Sequence, residues 1–503
     1  MKKILSTLAV SALLASGAAK AAELEVVHWW TSGGEAAAVA EFAKAFDAAG
    51  HKWVDGAIAG GGGTNAIPAV VSRLLGGDPM GATQFNHGRQ TEDLIQEGLF
   101  LDLTELSEKE GWRDFVFPSS LLDACTYDGK LYCVPVNIHS WQWIWLSNPA
   151  FAKAGIPVPS NWNEFVAAAP KLRDAGIAPL AVGSQAWQST GMITEVLAVA
   201  IAGPDAWSKV NVDKDAGVAG GPAYAKVFEA AANARSLAAD ISVTDWNLAT
   251  ASVITGQAAG QIMGDWAQGE FAVAEQVAGE DYSCLPGLGV NPVLSLGGDA
   301  FYFPKNKDAD VTAAQLELAS LMISKEVQVN FNLKKGSLPI RGDVDLSSAN
   351  DCMKKGLGLL ADGQILPGGN MALSRDTIGQ IEDLMVQFWN DSSMSAADAQ
   401  AKYASIIASA DLQPAGHWRG RLLCWPRLFQ GICHYLIFIF VGLGGRHVWQ
   451  QPSQHVVPQS VIKDCIHSDG GYGAGDFHWM FGLDRRLFLH RVAPVAKNPM
   501  GRL

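Results

Sequence analysis

Thirteen of the seventeen tryptophans precede residue 414, and several stand where loops or strand ends are expected: Trp29-Trp30, Trp141, Trp143, Trp145, Trp187, Trp246 and Trp266. An indole offers a broad apolar face that stacks on the C–H side of a pyranose ring. The edge of that ring carries hydroxyls, which Asp, Glu, Asn, Gln, His or Lys can pair. Glu35 follows the tandem tryptophans closely, and Asp265 directly precedes Trp266. Neighbouring residues on a strand point to opposite faces, so Trp29 and Trp30 cannot both enter a core. Stacking on a sugar is therefore expected at Trp29-Trp30 and at Trp266. For any other single tryptophan, core packing is the better expectation.

Other chemistries lack their residues. The run Gly60-Gly61-Gly62-Gly63 has no Lys-Ser/Thr ending and no dinucleotide fingerprint, so it is expected to be a flexible or closely packed strand-to-helix turn and not a nucleotide site. A net charge of −13 provides no phosphate-neutralising patch for nucleic acid. A secreted glycoside hydrolase would use the same tryptophan and carboxylate vocabulary, but it needs two carboxyls held roughly 5–10 Å apart across the scissile bond. No such pair stands out. The expectation is a binding protein with no catalytic residue, no cofactor and no metal.

The elements that must position these residues begin after a leader. Met1-Lys2-Lys3, the apolar stretch Ile4–Ala15 and the small-residue site Ala19-Lys20-Ala21 read as a cleavable signal peptide over residues 1–21. The apolar stretch is too short to remain as a membrane span, and no Cys near the site offers a lipid anchor. The expected location is the periplasm. From 22 to 413, strand-like and helix-like segments alternate, which indicates α/β architecture. Leu24–Trp30 reads as a strand, and the turn Thr31–Gly34 leads into a helix over Glu35–Ala49 with Val39, Phe42, Ala43 and Phe46 on one face. Further strands are expected at Lys52–Ile58 and Ala82–Phe85, with a helix at Asn65–Leu75 between them. Ligands bind at the strand ends of such sheets.

Four cysteines fall in this body. Cys125 and Cys133 bracket a hairpin signal with Asp128-Gly129 at its turn, and a three-residue loop would bring them face to face. Cys284 and Cys352 remain as the other pair. An even count in an exported chain favours two disulfides, although the sequence does not fix their connectivity and leaves four free thiols as the alternative. Beyond residue 413 the composition changes abruptly. Residues 414–503 hold ten Arg or Lys against four Asp and no Glu, with seven of the eleven His and three of the seven Cys. Cys424, Cys433 and Cys465 lack metal-ligand spacing, and the apolar run Tyr435–Val441 is too short to cross a membrane. This tail is expected to be non-native, as a reading-frame shift near residue 414 would produce, and no function is read from it.

The body resembles the extracellular solute-binding proteins of family 1 that serve ABC transporters, and within them the glucose/mannose-binding branch. The resemblance lies in EVVHWWTSGGE over 25–35, GGDP over 76–79 leading to Gln84, and YDGKLYCVPVNIH over 127–139. It continues in Trp187-Gln188, MGDW over 263–266, GDAFYFP over 298–304 and KGSLPIRGDVD over 335–345. It implies two α/β lobes of the type II periplasmic-binding-protein kind, joined by crossing hinge segments, closing on one sugar such as glucose or mannose. Its implied partners are that sugar and the membrane subunits of an ABC permease, with the protein itself a monomer. Carried over by position, Trp29 or Trp30 and Trp266 stack, while Glu35, Gln84, Asp299 and Lys335 hold hydroxyls. His87 and Arg375 join them; where similar proteins carry a polar or His residue, Arg375 is either a determinant of substrate preference or a surface charge. His139 either lines the cleft or packs at the hinge. A disaccharide, polyol or polyamine on the same fold is the alternative.

Overall fold

Leu24 and Val26 are buried while Glu23 between sheet and solvent is exposed, so Glu23–His28 forms a strand with its apolar side inward. The computed structural model describes residues 21–410. The expected leader, apart from its last residue, and the basic tail over 414–503 lie outside the described residues. The helix Gly33–Ala48 starts where Ser32 Oγ accepts the Glu35 N–H, which places the Glu35 carboxyl in the positive first turn. Val39, Phe42 and Phe46 point from it into the core. Strands Lys52–Ala57 and Ala82–Asn86 pair in parallel on either side of Glu23–His28. Asp299–Tyr302 adds antiparallel to Ala82–Asn86, and Cys133–Pro135 forms the far edge. The first lobe is therefore built on a five-stranded sheet drawn from three separate parts of the chain.

The second lobe carries a four-stranded sheet in the order Tyr282–Pro286, Trp143–Ser147, Ala258–Ile262, Ala178–Leu180. Its cover includes the apolar π-helix Met192–Ala202, packed on the helix Pro222–Leu237, and the helices Arg375–Asn390 and Ala396–Ser409. Trp143 and Trp145 point from its second strand into the interior and Trp207 is buried beside Thr194, so these three are core residues. One apolar core runs from the first lobe onto one face of the second-lobe sheet, where Trp143, Trp145 and Tyr282 join it, and a second core fills the rest of the second lobe.

The chain crosses between the lobes three times, over 136–142, over 296–299 and after Gly336. These crossings lie side by side. Ile138 and Leu338 exchange both backbone hydrogen bonds, at 2.8 and 3.0 Å, and the His139 N–H donates to Gly297 O at 2.9 Å. The architecture is the expected two-lobed α/β fold with crossing hinge segments. Among the described residues no helix is long and apolar enough to cross a membrane.

Both cysteine pairs form disulfides, Cys125–Cys133 and Cys284–Cys352. The hairpin differs from the three-residue expectation. Its loop is the two residues Asp128-Gly129, both with positive φ as a type I′ turn requires, so Tyr127 pairs with Lys130 and Thr126 with Leu131. Cys125 then opposes Tyr132, and Cys133 reaches it because the ladder breaks at Tyr132. The Cys284–Cys352 bridge ties the helix Asp351–Ala361, reached after the third crossing, to the second-lobe sheet. Its sequence separation is 68, against 8 for the other pair. Loop-closure entropy then assigns about 4 kcal/mol to the long loop and roughly 2.5 kcal/mol to the short one. We expect the double variant Cys284→Ser/Cys352→Ser to lose more unfolding free energy than Cys125→Ser/Cys133→Ser. Urea unfolding of the oxidised proteins measures both, and equal losses would show that chain closure does not govern the difference.

Candidate functional site

A cleft of about 270 Å³ lies between the lobes, at the ends of the first-lobe strands. The tandem tryptophans show how the sequence builds it. Trp30 is 1 % exposed and turns inward against Phe42, Phe301 and Phe331, with only an edge on the cleft. Trp29, one residue earlier, faces the cleft wall. Glu35, in the first turn of the helix behind them, accepts from Lys335 Nζ at 3.2 Å, and that ammonium also stands 5.7 Å above the Trp30 ring. Both ion-pair partners are buried. Burial raises the Glu35 pKa, and Lys335 opposes that shift without cancelling it.

Asp299, at the start of its strand, is held by an array of donors. Gln84 Nε2 donates to Oδ1 at 2.7 Å and Asn137 Nδ2 to Oδ2 at 2.9 Å. His139, on the first crossing, stands between two carboxylates. Its Nδ1 pairs with Asp265 Oδ1 at 2.5 Å, and its Nε2 lies 3.2 Å from Asp299 Oδ2. Burial is the largest influence on this histidine and disfavours its charge, yet the carboxylates outweigh it and raise the pKa. Asp299 shows the complementary result. Burial would raise it, but His139, Lys335 and Asn137 together hold it at about 2.

The second lobe supplies an aromatic wall. Trp266 meets Trp141 edge to face at 4.9 Å and His139 at 5.1 Å, and Trp141 meets Trp187 at 5.5 Å. Glycines permit the close approach. A Cβ on Gly264 would lie 2.1 Å from the Trp266 ring, and one on Gly62 would lie 3.0 Å from the Trp187 ring. Of the two expectations for the Gly60–Gly63 run, the closely packed turn is the one seen, and it leans from the first lobe onto Trp187 and Trp246 of the second.

Of the residues expected at the site, Trp29, Trp30, Glu35, His87, Trp266, Asp299 and Lys335 line this one cleft, and His139 lines it as well. Gln84 and Arg375 do not. Gln84 is 1 % exposed; its Oε1 accepts the Trp29 N–H at 3.0 Å while its amide donates to Asp299, so it positions two lining residues from behind. Arg375 is exposed at the first turn of Arg375–Asn390, where the Ser374 cap starts the helix and the arginine points outward. Asn86 and Gln90 line the cleft without having been expected; the Asn86 N–H donates to Gln90 Oε1 at 3.0 Å. Asn86 was open to inference, being the next outward position of a strand that ends at the cleft. Among the described residues no cluster of His, Cys, Asp or Glu could hold a metal. Flat apolar faces from both lobes, with fixed carboxylates and one ammonium between them, can grip a ring that is apolar on its faces and polyhydroxylated at its edge.

His87 gives this arrangement a pH signature. It is 1 % exposed, and burial pushes its pKa down to about 4 despite the pull of Asp299 and of the Gly297 backbone. Between pH 6.5 and 4 the unfolded chain binds a proton there that the folded chain refuses. Its contribution is intact above pH 6.5 and is lost as pH falls through that window. His87→Gln is expected to remove roughly 3 kcal/mol of the stability difference between pH 7 and pH 4. Urea unfolding across that range measures it; a variant with the wild-type pH profile would contradict the buried neutral histidine.

Residues 30–329 match the family described as bacterial extracellular solute-binding protein. A "Probable sugar-binding periplasmic protein" of Rhizobium meliloti (strain 1021) is 40% identical over 365 residues, which covers 72% of this chain and 87% of the relative. "Glucose-binding protein GlcS" of Saccharolobus solfataricus is more distant, 24% identical over 36% of this chain and 34% of its own length. Among solved structures, the bacterial solute receptor AcbH, titled as having an exclusive preference for β-D-galactopyranose, superposes with a TM-score of 0.63. It is 18% identical, and the match covers 78% of this chain and 99% of the receptor, a likeness of fold. The interlobe cleft, the three crossings and the match through most of the body agree: the chain belongs to the bacterial extracellular solute-binding protein family.

Proposed function

We propose that this protein is the periplasmic receptor of an ABC sugar-uptake system, closing on the pyranose ring of an aldohexose such as glucose or mannose and presenting it to a membrane permease. The single observation that carries this reading is the cleft's composition. Glu35 and Lys335 are buried and paired with each other, and Asp299 beside them is buried and held by His139, Gln84 and Asn137, opposite Trp141, Trp187 and Trp266 on the other lobe. Charged partners strengthen hydrogen bonds to hydroxyls, and exclusion of water keeps those bonds from being exchanged. A wrong epimer would leave one of these buried groups unpaired, which costs about 1–3 kcal/mol. The names of the curated relatives, which include sugar-binding, xylose/arabinose-binding and glucose-binding proteins, point the same way. The proposed role is capture and delivery, with no bond made or broken in the sugar.

Titrating the intrinsic tryptophan fluorescence with glucose, mannose, galactose, maltose and spermidine tests the assignment. Saturable binding of at least one aldohexose is expected, and no response to any monosaccharide would refute it. Two substitutions test the map. Trp266→Ala should weaken binding of the preferred sugar by about tenfold or more while leaving the fold intact, because its ring stands on the cleft wall and only half enters the core. Asp299→Asn keeps the shape but replaces one carboxylate oxygen with a donor, and should cost about 1–3 kcal/mol of binding free energy. Calorimetry reads both; unchanged affinity in either variant removes that residue from the sugar's contacts.

A further inference from the structure

The first crossing is clamped by a different carboxylate residue at each end. On the first-lobe side the Val136 N–H donates to Asp299 O at 3.0 Å, and the Asp299 N–H to Asn137 Oδ1 at 2.8 Å. Asn137 Nδ2 returns a bond to Asp299 Oδ2 at 2.9 Å. On the second-lobe side Asp265 Oδ2 accepts the Ser140 N–H, and the Asp265 N–H donates to Ser140 O, both at 3.0 Å. Only Ile138 and His139 lie between the two clamps, and their backbones bond to the other crossings at Leu338 and Gly297. The pivot between the lobes therefore falls at 138–139. The buried His139 ring sits on it, with Nδ1 2.5 Å from Asp265 and Nε2 in ion-pair contact with Asp299 at 3.2 Å.

We propose that His139 is a proton latch at the hinge: its imidazolium joins one carboxylate from each lobe in the closed receptor, so that capturing a ligand takes up a proton and raising the pH favours release. The inference rests on the proposed closing of the lobes and adds its control by pH.

The geometry supplies the reason. Each carboxylate is fixed to the crossing on its own side, so rotation about 138–139 moves Asp265 relative to Asp299, and one ring cannot follow both. A neutral imidazole has one N–H, so it serves one carboxylate and turns a lone pair toward the other. Only the doubly protonated ring answers both, and a buried carboxylate without a partner is costly. Two further groups face the ring. Lys335, at the end of the helix Lys325–Lys335, and His87, after the strand Ala82–Asn86, both oppose its charge. Lys335 is paired with Glu35, and His87 carries no charge near neutral pH, so the two aspartates prevail. Separated from one carboxylate and returned to water, the ring falls back toward its ordinary value of 6.5. Closing therefore takes up a proton above pH 6.5. The latch is complete below that value and is lost as pH rises through the higher pKa of the closed state.

Glu195 would give a similar signal. It lines the cleft on the second lobe, and burial pushes its pKa up to about 8, so hydration on opening would release its proton. The test removes it first. Calorimetric titration of Glu195→Gln with the preferred aldohexose, in buffers of different ionisation enthalpy, counts the protons taken up between about pH 6 and pH 9. Uptake of up to about one proton per sugar is expected, with affinity falling by as much as about tenfold per pH unit at the alkaline end. Adding His139→Gln should abolish the uptake and flatten the affinity profile. Adding Asp265→Asn instead should reduce both effects, which keeps the latch testable should the His139 variant fold poorly; thermal melting checks each protein. No uptake in Glu195→Gln, or uptake that survives His139→Gln, overturns the latch and leaves the sugar reading standing. Wild type that binds no sugar overturns the sugar reading, and the latch is then read by X-ray scattering from the unliganded protein. Its radius of gyration should grow with pH over the same range in wild type and not in His139→Gln; a radius independent of pH overturns the latch as well.

Discussion

A histidine buried between two carboxylates sets the relation of the two lobes. Asp265 comes from the second lobe, Asp299 from the first, and His139 from the backbone that crosses between them. Removing an ion from water costs several kcal/mol even after relaxation, so buried charges persist only in mutual contact. Each member of this set has its partner, and the Glu35–Lys335 pair beside it follows the same rule. Such groups add little net stability compared with a well-packed apolar core, but they penalise any arrangement in which one of them loses its partner. The seam is therefore fixed by charge as well as by the backbone bonds at Ile138, His139, Gly297 and Leu338.

That constraint requires the lobes to meet closely elsewhere, and small residues make it possible. Gly34 and Gly269 bring the helix Gly33–Ala48 of the first lobe against the helix Ala267–Val273 that follows Trp266; a Cβ on Gly34 would lie 2.5 Å from the Gly269 carbonyl carbon. Contact at this distance is polar as well as steric. The Gly34 N–H donates to Glu270 Oε1 at 2.8 Å, and Gln268 Nε2 donates to Gly336 O at 2.7 Å. Trp266 begins this same bridging helix, so its position depends on both the charged seam and the glycine contact.

How much of this was legible follows from the range of each interaction. Local pattern located Glu23–His28, Gly33–Ala48 and Ala82–Asn86 to within a few residues, because alternation and helical spacing are properties of neighbours. The tandem tryptophans were legible for the same reason, and they do face opposite ways. Gln84 was misplaced because chain position fixes the side of a strand but not the depth beneath it; one layer down, it meets Trp29 and Asp299 instead of the cleft. Arg375 was brought in by resemblance, and the geometry of a helix start turned it outward. The pairing of His139 with Asp265 spans 126 residues, and no local pattern announces it. Trp143 and Trp145 look, in sequence, like Trp141 and Trp187, and only sheet membership separates core from wall.

The cleft also explains why a polyhydroxylated guest would favour closure. The first lobe carries Glu35, Asp299 and Lys335 beside Trp29, and the second adds Trp141, Trp187 and Trp266, so only the two together enclose a ring between aromatic faces and charged groups. A ligand shifts a two-state equilibrium only by its difference in affinity for the two states. In the proposed closing of the lobes, the buried His87 and Trp187 Nε1 would give up water for which the protein supplies no full replacement. Each stranded group costs about 1–3 kcal/mol. Hydroxyls placed among them return what water gave up, whereas an apolar guest of equal size would return nothing. The proposed closure would then be tied to hydrogen-bonding capacity at defined positions, and the side chains that oppose closing without a partner would be the ones that discriminate between ligands.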